Sequence, residues 1–105
     1  MIDGLRSADN AALRNSAAEV LVRFGTNAVL PLLSSLGSAD QDLQKFITDI
    51  LGEIGDRRAT PALMRSLSQH DDNVAMAAIE ALGKLRDLRA VDPLIAVVRQ
   101  DRPLL

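Results

Sequence analysis

Apolar residues recur along this chain at helical spacing, three times over. Leu43, Phe46, Ile47, Ile50, Leu51 and Ile54 follow i, i+3, i+4, i+7, i+8, i+11. Val74, Ala77, Ala78, Ala81, Leu82 and Leu85 repeat that spacing, and so do Leu13, Ser16, Ala17, Val20, Leu21 and Phe24. A stripe of this period with polar residues between predicts an amphipathic helix buried along one face. A shorter apolar set follows each stripe: Leu32, Leu33 and Leu36; Leu63, Met64 and Leu67; Leu94, Ile95 and Val98. The pattern therefore predicts an all-α chain in which a long helix and a short helix alternate. Thr60-Pro61 and Asp92-Pro93 read as an N-cap followed by proline at the first helical position. Gly25 and Gly55 read as helix stops. Asp40 and Asp71-Asp72 precede the next long helix, where an acidic residue favours the N-terminus.

The alternation is a repeat. Asp49–Ala59 (DILGEIGDRRA) lies over Glu80–Ala90 (EALGKLRDLRA) at an offset of 31 residues, with Leu51 on Leu82, Gly52 on Gly83, Asp56 on Asp87 and Arg58 on Arg89. Leu32–Asp40 (LLSSLGSAD) matches Met1–Asp9 (MIDGLRSAD) at the same offset, and LVRFG at 21–25 meets LGEIG at 51–55 with a slip to 30. One domain over 1–105 then holds a partial second helix at 1–8 and three units at 9–39, 40–70 and 71–101. A single amphipathic hairpin cannot bury its own stripe, whereas stacked hairpins bury a shared one. Gly52 and Gly83 fall mid-helix, where each costs roughly 0.5–1 kcal/mol relative to alanine, so close helix packing is expected at both. Asp56 and Asp87 sit at equivalent turns beside Arg58 and Arg89. They predict a structural ladder in which each carboxylate caps a helix or pairs with an arginine.

ILGEIGDRRATPAL in the second unit and ALGKLRDLRA in the third resemble HEAT repeats, and more narrowly the short bacterial type found in phycobilisome-lyase-like proteins. The resemblance covers nearly the whole chain, although FGTNAVLPLL in the first unit lacks the Gly-Asp and the arginine. It implies a right-handed α-solenoid with first helices on the convex side and second helices on the concave side. Neither end carries the polar cap of a terminal repeat. The chain is therefore expected to be a piece of a longer solenoid, or to stack its ends on another copy. Ile79, which lies off the main stripe at the position of Ala18 and Thr48, is a candidate for such a contact.

Composition narrows the chemistry. The 105 residues include no Cys, Trp or Tyr, one His and two Phe, with a net charge of -2. Without cysteine there is no thiolate nucleophile, disulfide or thiolate-held metal. The charge and the lack of stacking aromatics argue against nucleic acid as a partner. No signal-peptide pattern and no membrane-length apolar run is present, so a cytoplasmic chain away from membranes is expected. His70 beside Asp71 has only carboxylates as possible co-ligands and reads as a turn residue, so neither metal nor cofactor is expected. Asp56 and Asp87 could be read as an acid–base pair, but their recurrence in register is what a structural turn requires. The serines lack a base at any recognisable spacing, and no phosphate-binding glycine loop occurs. A non-enzymatic chain is expected.

Ten of the twelve basic residues are arginine. Arg65 and Arg99, on the polar side of second helices, are expected to point into the concave groove, where a guanidinium fork suits carboxylates. Gln69, Ser34 and Ser38 are further candidate contacts. The function expected is a protein-interaction scaffold that takes an acidic or extended segment of another protein. Two other readings stay open. One is an accessory module like the bilin lyases, with tetrapyrrole propionates on arginine. The other is a structural or regulatory spacer in a larger protein.

Overall fold

Among the described residues, six α-helices form where the stripes lie. In the computed structural model, which describes residues 10–69 and 71–100, the long helices are α1 (Asn10–Phe24), α3 (Gln41–Ile54) and α5 (Asp72–Leu85). The short ones are α2 (Val29–Leu36), α4 (Thr60–Ser66) and α6 (Val91–Arg99). Residues 1–9, His70 and residues 101–105 lie outside the described residues, and with them the expected partial helix at 1–8 and the His70 reading. Among the described residues no helix is long and apolar enough to cross a membrane.

Acidic caps start the second and third long helices. The Asp40 carboxylate accepts from the Leu43 N–H at 2.9 Å, and Asp71 accepts from the Asn73 and Val74 N–H groups at 2.8 and 3.1 Å. Each satisfies helix N-terminal donors that have no intrahelical partner. Gly55 ends α3 in the left-handed conformation at φ 77°. The same turn after α5 is made by a non-glycine residue, Arg86 at φ 55°.

The short helices begin differently from the expectation. α4 and α6 carry no side-chain cap, and Thr60 is already a helical residue. Each grows directly out of a 3-10 turn, Arg57–Ala59 or Leu88–Ala90. The cap has moved upstream to the start of that turn, where Asp56 and Asp87 accept from the Arg58 and Arg89 N–H groups. A turn continuous with the helix leaves no free N-terminus at Thr60 or Asp92 to be capped.

The helices pack in two layers, and the least extent of the molecule, 20 Å, is about two helix diameters. The first two short helices lie against the long helix of the following unit, α2 on α3 and α4 on α5. The core between the layers is built from Val29, Leu51, Leu63, Val74 and Leu82, none more than 2% exposed.

The long helices are unevenly spaced. α3 packs along α5 much more extensively than along α1. Gly52 explains this. A Cβ built on it would sit 3.0 Å from both the Cα and the Cβ of Ala81, so glycine permits the approach. The equivalent pair at the first junction is Val22 and Ile50. These bulkier side chains hold α1 off α3, and both line a groove of about 680 Å³ between the two helices. Between the same two helices the Arg14 guanidinium lies 5.6 Å from the Phe46 ring centroid. The packing expected at Gly83 is absent, because a Cβ there would meet open space.

Candidate functional site

The turns set the spacing of the short helices. In the second unit the Arg58 guanidinium pairs with Asp56 at 2.9 Å and reaches back 2.9 Å to the Thr26 carbonyl of the first. In the third, Arg89 pairs with Asp87 at 2.6 Å and reaches back 3.2 Å to the Arg57 carbonyl. Thr26 and Arg57 are themselves one repeat apart. Arg57 runs the other way, donating to the Leu85 and Arg86 carbonyls at 3.3 and 3.1 Å. It thereby satisfies carbonyls at the end of α5 that the helix leaves without partners. Each junction is thus tied by charge-assisted hydrogen bonds to backbone.

These bonds also fix the ionisation of the turns. The Arg58 and Arg89 side chains, then their own N–H groups, hold the Asp56 and Asp87 carboxyls below the ordinary carboxylate range. The two arginines are raised in return by their carboxylates. Carboxylates paired in this way stay ionised near neutral pH and are engaged within the turns. A further cross-unit tie joins Lys84 to Glu53, and Glu53 raises the pKa of Lys84.

Held by the turns, α2 and α4 leave a groove of about 280 Å³ between them. Leu33, Leu36, Pro61 and Ala62 give it apolar walls, and Arg58, Arg65, Gln44 and Gln69 give it polar ones. No carboxylate lines it. Arg65 forms no ion pair with any described residue, so its guanidinium donors are available to a ligand. Gln44 donates through Nε2 to the Ala39 carbonyl at 3.1 Å, while its buried Oε1 accepts no hydrogen bond among the described residues. A second groove of about 530 Å³ repeats the first between α4 and α6, one unit on. Ala96 stands there where Arg65 stands in the first, and Gln69 lines both.

The structure thus brings Arg65 and Gln69 together and adds Arg58 and Gln44. Arg58 was legible as a turn residue, but nothing in the sequence marks its second place in the groove wall. Gln44 carries no signal at all, since its counterpart in the third unit is Ala75. Arg99 ends α6, is exposed and lines neither groove. Its counterpart in the second unit is Ser68, just past the end of α4, which is a different repeat position from Arg65. Ser34 and Ser38 are exposed on and just after α2, outside both grooves. Among the described residues no three His, Asp or Glu side chains gather where they could hold a metal.

Stacked two-helix units with interlocked layers and a turn ladder define a helical-repeat protein. The chain belongs to the HEAT-repeat family, whose model, described as HEAT repeats, matches residues 31–104. HEAT repeats generally serve as protein-interaction scaffolds and are typically non-catalytic. A comparison with curated proteins gave no match. The matched region begins at α2, the helix that forms one wall of the groove.

Proposed function

We propose that this chain is a non-catalytic scaffold that binds an extended segment of another protein along its second helices, the concave face in HEAT repeats. The observation that carries this reading is the α2–α4 groove, which has arginine donors in its wall and no carboxylate of its own. Arg65 would take a partner carboxylate through its planar fork. The exposed Gln69 amide would hydrogen-bond the partner's main chain, and the apolar walls would hold the intervening side chains. The α4–α6 groove, with alanine in place of Arg65, would continue the track with apolar contact. Arg99, Ser34 and Ser38 lie beyond the grooves and would be reached by a longer segment only.

Affinity capture on the immobilised chain tests this, with wild type beside Arg65→Glu and circular dichroism confirming that both are helical. Wild type is expected to retain a protein that Arg65→Glu loses, and the retained protein should bind through an acidic stretch. Equal recovery by both would place the contact elsewhere and end the reading.

A further inference from the structure

The α2–α4 and α4–α6 grooves are one site written twice. Leu33, Leu36, Ala62 and Gln69 line the first, and the residues 31 further on, Met64, Leu67, Pro93 and Gln100, line the second. Elsewhere the copy breaks. Arg65 gives way to Ala96 and Ser66 to Val97, while Gln44 gives way to Ala75, which does not line the second groove. Arg89, the counterpart of Arg58, stays on Asp87 and does not line it either. Among the described residues the second groove therefore has no charged side chain, and it holds about 530 Å³ against about 280 Å³.

These differences give the two grooves different preferences. In the first, Arg58 is committed to Asp56 and to the Thr26 carbonyl. That leaves Arg65, exposed and without an ion pair among the described residues, to set what enters. Its planar guanidinium suits a carboxylate. In the second groove a carboxylate would give up water and meet no cation, which is costly. A large apolar side chain gains there by contact with Met64, Leu67, Ala96 and Val97. Residues of α4 line both grooves, so a segment that crosses α4 enters both. Neighbouring helices of a stack lie about 10 Å apart. A chain in the polyproline II conformation brings every third residue back to the same face after about 9 Å, which matches that step. A β-strand sets residues three apart on opposite faces and does not.

We infer that the two grooves are successive subsites for one extended partner segment, with an aspartate or glutamate in the α2–α4 groove and a large apolar residue, three positions away, in the α4–α6 groove. This rests on the scaffold reading above and adds what the partner must carry. Arg65 and Ala96 are the residues that set the choice at each subsite.

Selection of displayed random decapeptides on the immobilised full chain tests it. Wild type is expected to enrich peptides with Asp or Glu at one position and Leu, Ile, Met or Phe three positions away. Ala96→Arg is expected to enrich a second Asp or Glu in place of the apolar residue. Arg65→Ala is expected to lose the acidic preference and keep the apolar one. Both substituted positions are exposed, and circular dichroism checks that the variants are helical. In fluorescence anisotropy, exchanging the acidic residue of an enriched peptide for its amide should weaken binding to wild type about tenfold and change binding to Arg65→Ala little. Enriched peptides that need Arg65 but carry no apolar residue at a fixed distance from the acid overturn the inference and leave the scaffold reading standing. An Ala96→Arg selection unchanged from wild type does the same. Peptides that bind Arg65→Ala as tightly as wild type, or no enrichment on wild type, end both.

Discussion

At the scale of single residues, two glycines at equivalent positions do different things. Gly52 is the contact point of α3 and α5, and Gly83 faces open space. Sequence register alone makes them the same residue. In Gly52→Ala the new methyl meets the backbone Cα of Ala81, which moves only if α5 moves with it. We expect a loss of about 1–3 kcal/mol, as for overpacking elsewhere. In Gly83→Ala nothing is displaced and helix propensity improves, so a gain of roughly 0.5–1 kcal/mol is expected. Urea unfolding of dilute protein, followed by circular dichroism, reads both. Destabilisation of similar size in the two variants would contradict the packing described.

At the scale of elements, the turn decides how one helix hands over to the next. Asp56 and Asp87 are held below the ordinary carboxylate value of about 3.9 by their arginines, so the unfolded chain binds these protons more readily than the folded one. Their stabilisation is fully present above pH 4 or so and is lost as pH falls through the folded values. Asp87→Asn and Asp56→Asn should each lower the midpoint of urea unfolding at pH 7. Asp87→Asn should lower it more, because its carboxylate is the more buried of the two. Both differences from wild type should shrink as the pH is taken below 4. A difference that stayed constant with pH would mean that the turns depend on shape and not on charge.

Across the whole molecule, stability follows the stacking. α6 has no buried residue and the described side chains of α1 are all at least partly exposed, whereas α3 and α5 hold most of the core. In a stack whose units contact only their neighbours, end units open first. Amide hydrogen exchange should therefore be slowest in α3 and α5 and faster in α1 and α6. The groove between α1 and α3 should make α1 the first long helix to exchange. Uniform protection would indicate a single cooperative block instead.

The sequence by itself determined the helices, their alternation and the register of the repeat. Those depend on period and on turn chemistry, which are written locally in Leu43 to Ile54, in Asp40 and in the Asp56–Arg58 turn. It also placed Arg65 on the polar side of a second helix. Tertiary structure alone decided what Arg65 shares a groove with. That groove lies between consecutive units, so its wall is drawn from α2, α3, a turn and α4, and no spacing along the chain encodes the set. Arg99 looked equivalent because it too follows an apolar stripe, yet it ends α6, and among the described residues no next short helix stands beside it to form a second wall. The unequal junctions were hidden for the same reason. Gly52 matters only through Ala81, and Val22 only through Ile50, and a helix pattern records which face is buried but not the size of what will meet it.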